Sequence, residues 1–157
     1  MKKDVGVIVV LSVIAVALAV VCIFLITGKA GTEKVKDFED VHFSISPGRG
    51  KTTRYSIVNE GEESKITISV ESSARGGSGD STEKGYCSTE DAIDLMNKYH
   101  VLSWDGLDKE GDDNRSFSFT GTINGKEVEG KGKFYEPKDF EDFIDELEDL
   151  MDESDDD

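Results

Sequence analysis

The chain has 157 residues, of which 34 are acidic and 18 are basic, so its formal net charge is −16. This length accommodates one domain with short accessory segments, not two full domains. We expect no nucleic-acid partner, because binding to phosphates requires clustered Lys and Arg. Two cysteines and two histidines exclude a disulfide scaffold and a Cys/His zinc site.

The N-terminal region contains a long apolar segment, residues 5–27, in which 23 consecutive positions carry no charge. As a helix it would be roughly 34 Å long, enough to cross a hydrocarbon core of about 30 Å. A cleaved signal peptide fits less well, because signal-peptide apolar cores span only about 7–15 residues. We therefore predict a single transmembrane helix, 5–27, between a cytoplasmic tail, 1–4, and a linker, 28–37.

The orientation of this span rests on the flanking charges. Lys2 and Lys3 precede the span, whereas residues 28–42 carry three lysines beside four acidic residues. The count of lysines alone is nearly uninformative. Because the positive charge is dense at the N-terminal membrane edge, and so short a tail is seldom translocated, we predict localisation in the cell membrane as a single-pass protein. The N-terminus would lie in the cytoplasm and the C-terminal domain outside.

Two other membrane readings of the N-terminus remain. A lipoprotein anchored through Cys22 would have a small residue before the cysteine, where bulky Val21 stands. A type IV pilin or pseudopilin processed at Gly6 would usually carry Glu at the fifth mature position, where Leu11 stands. The pilin reading would make the chain a component of an envelope or secretion assembly.

Alternating apolar and polar residues over 41–45, 53–58 and 66–70 predict a three-stranded meander. Residues 73–87 are rich in Gly and Ser and lack an apolar period, which predicts a mobile loop. Ser88 is typical of an N-cap, with an acidic residue three positions later. A helix is therefore expected from there to about His100.

The segment from Ser116 to Phe134 has the pattern of a β-hairpin. Asn124-Gly125 between two alternating runs favours a two-residue type I′ turn, which fixes the register. The predicted cross-strand pairs are Ile123 with Lys126, Gly121 with Val128, Phe119 with Gly130 and Phe117 with Gly132. We interpret the two Phe–Gly pairs as aromatic rescue, in which a ring covers the glycine backbone. Phe134 is expected on the same apolar face.

The last helix is predicted from Pro137, which suits a first helical turn. An amphipathic stripe follows, formed by Phe140, Phe143, Ile144, Leu147, Leu150 and Met151. The predicted fold class is α+β, a two-layer sandwich in the order β-β-β-α-β-β-α. Its five-stranded antiparallel sheet would be covered on one face by two helices, within a soluble domain over 38–151 and before a disordered acidic tail, 152–157.

The C-terminal region holds most of the negative charge. Between Glu136 and Asp157 there are 13 acidic residues and one Lys, a net of −12 out of the total of −16. One interpretation is a solvated helix face followed by a disordered tail. The other is a landing site for a basic partner or a loose collector of cations. The sequence does not separate these.

The candidates for chemistry lack a convergent pattern. Gly50-Lys51-Thr52 resembles the end of a phosphate-binding loop, but Ile45 stands where that motif needs Gly. The acidic loop 105–113 does not fit an EF-hand, and only a weak calcium contact stays open there. Cys87 shows no spacing that pairs it with His42 or His100 as a nucleophile. We predict no catalytic, cofactor-binding or metal-binding residues, no cofactor and no enzymatic activity.

One resemblance covers roughly residues 38–151. The run HVLSWDGL from His100 to Leu107, an Asn-Gly hairpin, and then FYEPKDFEDF from Phe134 to Phe143 resemble a small module of uncharacterised bacterial proteins, often membrane-anchored. The Gly/Ser-rich residues 73–82 depart from it. The resemblance implies a core role for Trp104, a turn at Asp105-Gly106 and a helix start marked by Pro137 and Phe140. It implies no activity.

These observations lead to one functional expectation and one alternative. We expect a membrane-anchored extracytoplasmic binding or interaction module without catalysis, whose partner is a basic protein or an envelope component. The alternative is a structural component of an envelope, pilin-like or secretion assembly, in which residues 5–27 contact other membrane spans.

Overall fold

A computed structural model of the chain describes residues 33–48, 50–72 and 80–152. The predicted transmembrane segment and the end of the predicted acidic tail lie outside the described residues. Within these residues the chain forms seven strands, β1 (Phe38–Pro47), β2 (Lys51–Asn59), β3 (Glu63–Ser72), β4 (Ser81–Ser88), β5 (Asp108–Glu110), β6 (Arg115–Ile123) and β7 (Lys126–Lys133), and two α-helices, α1 (Thr89–Lys98) and α2 (Phe140–Asp152). A 3-10 turn, Val101–Trp104, follows α1. In this part of the chain no helix has the length and apolar character of a membrane span.

The prediction of a five-stranded antiparallel sheet is wrong, although the α+β class holds. The strands form one seven-stranded mixed sheet in the order β4-β3-β2-β1-β6-β7-β5. Two edge strands account for the difference. β4 occupies much of the predicted mobile loop and pairs with β3 from Glu63 with Ser88 to Val70 with Ser81. β5 is parallel to β7, and its Lys109 lies opposite Gly132.

The predicted hairpin register is confirmed. Phe119 lies opposite Gly130 and Phe117 opposite Gly132, and the other predicted pairs are also present. Asn124 and Gly125 both have positive φ, at 53° and 70°, as a type I′ turn requires. A short local signal thus sets the pairing of two neighbouring strands.

The reason for the two glycines differs from the predicted aromatic rescue. A Cβ on Gly130 would collide with the carbonyl oxygen of Trp104, and a Cβ on Gly132 with the carbonyl oxygen of Tyr135. Backbone therefore crosses directly over β7 at both positions, which only glycine permits.

Phe134 does not continue the apolar face, so its predicted placement is wrong. It follows the last residue of β7 with a φ of 52° and remains 38% exposed. The left-handed backbone conformation turns the chain out of the strand at this point.

Both helices contribute apolar residues to the core. Ser88 caps α1 as predicted, since its Oγ accepts a hydrogen bond of 3.0 Å from the Asp91 backbone N–H. α2 begins at Phe140, three residues after Pro137, so Pro137 precedes the first helical turn instead of forming it. The buried side chains of this layer and of the sheet face beneath it form one cluster.

A segment ahead of β1 is fastened to the domain by two asparagines. The Asn97 side chain accepts a hydrogen bond from Val35 N at 2.8 Å and donates one to Val35 O at 2.9 Å. The Asn124 side chain accepts from Lys36 N at 2.8 Å and donates to Lys34 O at 2.9 Å. The chain is thus attached both to the end of α1 and to the tip of the β6–β7 hairpin.

The backbone crossing over β7 predicts a strong effect of Gly130→Ala. The added Cβ has no space against the Trp104 carbonyl, so the crossing segment must move, and we expect a loss of about 3 kcal/mol in the free energy of unfolding. Urea denaturation followed by tryptophan fluorescence measures it. Lys131→Ala, on the exposed side of the same strand, is the control and should change stability by no more than about 0.5 kcal/mol. Equal effects of the two substitutions would contradict the close crossing.

Candidate functional site

A groove open to solvent runs between α1 and α2. Its volume is about 430 Å³. It is lined by Asp91, Asp94, Leu95, Lys98, Glu146, Asp149 and Leu150. This inter-helix groove combines an apolar floor with a charged rim.

The spacing of residues along each helix produces this arrangement. In α1, Asp91, Asp94 and Leu95 recur at intervals of three and four, so they lie on one side of the helix. In α2, Asp149 and Leu150 follow Glu146 at the same intervals. Leu95 is buried and Leu150 partly buried, which places them at the floor, while the Asp side chains remain exposed.

One end of the groove is closed by a polar contact between the helices. Lys98 Nζ donates to Glu146 Oε2 at 2.7 Å, and the Tyr99 hydroxyl donates to Glu146 Oε1 at 2.7 Å. The hydrogen bond from Lys98 holds the pKa of Glu146 below its usual value and raises the pKa of Lys98. The groove lysine is therefore neutralised by its neighbour.

The remaining rim is acidic. Asp91 accepts a hydrogen bond of 2.6 Å from Ser88 Oγ. Asp94 and Asp149 form no ion pair with any residue that the structure describes. The groove therefore presents unneutralised carboxylates beside an apolar floor, an arrangement suited to a ligand that is both basic and apolar.

A second cleft lies where α2 begins, and Arg115 is its central charge. Arg115 Nε lies 3.1 Å from Glu136 Oε2, and its Nη2 contacts Glu141. The Glu136 side chain is only 7% exposed, and burial raises its pKa although Arg115 opposes that rise. These contacts hold the segment before α2 against the start of β6. The charge of Arg115 therefore serves to stabilise the fold.

Carboxylates also crowd the outer part of this cleft. Burial raises the pKa of Tyr55 to about 12, and the nearby Glu148 and Asp145 add to the rise. Burial likewise raises the pKa of Glu148, and Asp145 and Glu83 contribute. Like charges are therefore held close together on this side of α2.

The opposite face of the sheet is polar and uncovered by either helix. Strand positions facing this side carry hydroxyl groups, and Ser44 Oγ lies 2.7 Å from Ser118 Oγ. His42 Nε2 lies 2.8 Å from Asp40 Oδ2, and both side chains are exposed. An Asp oriented on His can serve catalysis when a nucleophile contacts the free ring nitrogen. The described residues give His42 no such hydroxyl partner.

The other residues considered as chemical candidates lie far apart in the fold. Cys87 is buried in β4, and burial, with Asp91, raises the pKa of its thiol to about 11, so the unreactive protonated form dominates. His42 lies in β1, and His100 stands directly before the 3-10 turn that follows α1. The structure brings no two of these three together.

The acidic loop 105–113 contains β5, and its carboxylates have other contacts. Glu110 pairs with Lys133 at 2.7 Å, Asp108 with Lys131 at 3.6 Å, and Asp105 accepts from Glu129 N at 3.1 Å. Over the described residues, no three potential metal ligands gather at one point.

Sequence reasoning identified the acidic side of the last helix but missed the contribution of α1. Asp91, Asp94, Leu95 and Lys98 stand at helical spacing in the predicted helix, and that pattern could have revealed the second side of the groove. What no local pattern could show is that α1 and α2 lie next to each other.

The raised pKa of Glu148 predicts a pH-dependent gain from Glu148→Gln. A carboxyl whose pKa is raised by folding stabilises the folded state below its unfolded pKa of about 4.3, and this stabilisation is lost as pH rises through the folded pKa. At pH 7 burial and the neighbouring carboxylates disfavour the charged form of Glu148, and this costs folding free energy. The neutral Gln avoids that cost, so we expect a melting temperature higher by roughly 2 °C.

The same substitution should have almost no effect near pH 3.5, where Glu148 is protonated in both states. Thermal unfolding followed by circular dichroism at the two pH values measures the difference. Glu127→Gln, on the opposite face of the sheet, is the control for a general loss of negative charge. A gain of the same size for both variants at pH 7 would contradict the local cause.

Comparison with models of known protein families and with curated protein sequences gives no match to this chain.

Proposed function

We propose that this chain is a non-catalytic binding module, anchored in the cell membrane by residues 5–27, whose extracytoplasmic domain binds a basic protein on its helix layer. The observation that carries the proposal is the uneven distribution of charge between the two faces of the domain. Acidic side chains dominate the outer side of the helices, whereas the uncovered sheet face mixes hydroxyl groups with charges of both signs.

The helix layer exposes many carboxylates that lack an ion pair among the described residues. They are Glu90, Asp91, Asp94, Asp142, Asp145, Glu148 and Asp149. Lys98, the basic residue of the two helices, is paired with Glu146, and Arg115 from β6 is paired with Glu136 and Glu141. The layer therefore carries a concentrated negative field.

The sheet face is different because it carries charges of both signs. Arg54 lies 3.1 Å from Glu71, and both side chains are exposed. Hydroxyl-bearing residues such as Ser44 and Ser118 occupy other positions of the same face. A basic partner is thus attracted to the helix layer in preference to the sheet.

Repulsion among like charges also favours such a partner energetically. Carboxylates crowded on one layer destabilise the folded state, and a basic surface placed against them removes that repulsion while it forms new ion pairs. Attraction of this kind accelerates encounter and weakens with salt, since screening acts over about 10 Å at 0.1 M ionic strength.

We expect the full-length chain in phosphatidylcholine nanodiscs to bind an oligolysine peptide, with an affinity that falls steeply between about 50 mM and about 500 mM salt. The variant Asp94→Asn/Asp142→Asn should bind roughly fivefold more weakly, because it removes two charges from the helix layer. Fluorescence anisotropy of a labelled peptide measures both effects.

The control variant, Glu127→Gln/Glu129→Gln, removes the same number of charges from the sheet face. Equal weakening by the two variants would show that net charge alone attracts the peptide. Binding that does not respond to salt would contradict the electrostatic basis of the proposal.

Buried Cys87 is a poor reporter of membrane orientation, so the test of localisation needs an exposed cysteine. Glu62 is exposed in the turn between β2 and β3, and we expect Glu62→Cys to react with a membrane-impermeant maleimide in intact cells. The parent chain, with Cys87 buried and Cys22 in the proposed span, should react little under the same conditions. Labelling of Glu62→Cys only after permeabilisation would place the domain in the cytoplasm and overturn the proposed orientation.

A further inference from the structure

Resting on the proposed function, we infer that the inter-helix groove receives one face of a basic amphipathic helix from the partner. Apolar side chains of that helix would lie on Leu95 and Leu150, and its Lys or Arg side chains would pair with Asp94 and Asp149.

The geometry of the groove fits a helical occupant. α1 and α2 run antiparallel, because Tyr99 at the end of α1 contacts Phe143 early in α2, with ring centroids 5.9 Å apart. At the other end, Gly85 of β4, the strand that leads into α1, lies against Met151 late in α2. Two helices side by side leave a furrow between their ridges into which a third helix packs.

The chemistry of the lining specifies the occupant further. The floor is apolar, which favours Leu-like side chains, and the rim is acidic, which favours lysine or arginine directly beside them. Asp94 and Asp149 come from different helices, so basic residues on both flanks of an apolar stripe satisfy both sides. A helix supplies this pattern when apolar residues recur at intervals of three and four between basic ones.

The same charges disfavour two other occupants. A second copy of this chain carries a net charge of −16 and the same acidic helix layer, so it is repelled. An anionic lipid surface is repelled for the same reason. Charge complementarity therefore selects a basic protein segment.

The hydrogen bonds from Lys98 and Tyr99 to Glu146 make the two ends of the groove chemically different. They place the neutralised, closed end at the C-terminus of α1, whereas Asp91 marks the end at the N-terminus of α1. We expect the densest basic residues of the partner helix to lie toward the Asp91 end.

The test compares two labelled peptides of identical Leu and Lys composition, each of about 14 residues so that a helix can form. In one, the leucines follow the amphipathic helical period; in the other, the order is scrambled. Binding to the full-length chain in phosphatidylcholine nanodiscs is measured by anisotropy. We expect the patterned peptide to bind about tenfold more tightly, a difference of about 1.4 kcal/mol.

Two variants locate the contact. Asp94→Asn/Asp149→Asn should weaken the patterned peptide about tenfold, while Glu127→Gln/Glu129→Gln should leave its affinity nearly unchanged. In addition, a cysteine placed by Asp94→Cys should be protected from maleimide by the patterned peptide, whereas one placed by Glu127→Cys should not. Protection of the cysteine reports contact at the groove directly, independently of the change in affinity.

The outcomes separate the two proposals. If both peptides bind equally well, with salt dependence, and Asp94→Cys is not protected, the helix layer attracts basic chains but the groove does not recognise a helix. If neither peptide binds, the proposed function itself fails.

Discussion

The position of Trp104 between the sheet and α2 is the constraint on which the rest of the domain depends. Its ring centroid lies 5.6 to 6.0 Å from five phenylalanine rings, two of which belong to α2 and three to β1 and β6. To reach this position the chain crosses β7 so closely that Gly130 has no room for a side chain. The crossing then continues along β7, since Lys131 N donates to Leu107 O at 2.8 Å, and this leads directly into the parallel strand β5. Core packing and the unusual strand direction thus have a common origin.

Local signals in the sequence were sufficient for the elements that specify themselves. Asn124-Gly125 determines the hairpin register without help from the remainder of the chain, and Ser88 with Asp91 determines where α1 begins. The two missed strands have no such signal. β5 consists of three charged residues, and its pairing comes from the long-range crossing at Trp104. β4 directs only Gly85 and Cys87 inward, and these small residues leave hardly any apolar alternation to detect. Long-range pairing, not propensity, makes both of them strands.

The same division applies to the groove. The acidic surplus of α2 follows from composition alone, and the helical spacing of Asp91, Asp94 and Leu95 is present in the sequence. That they face Asp149 and Leu150 across the groove depends on the strand order. The edge strand β4 leads directly into α1, and this places α1 beside α2. The chemistry of the rim was therefore predictable from residues, but its concave shape is a property of the topology.

The two asparagines that hold the segment ahead of β1, Asn97 in α1 and Asn124 at the hairpin turn, have a mechanical consequence. Tension applied through the chain before Lys34 reaches Asn97 and Asn124 together, so the load divides between the helix layer and the hairpin tip. Beyond them, β1 occupies the middle of the sheet and is bonded on both sides, to β2 and to β6. Pulling along it loads both ladders in shear, and many hydrogen bonds must break at once instead of opening one after another. A domain built in this way resists unfolding when it is held from Lys34.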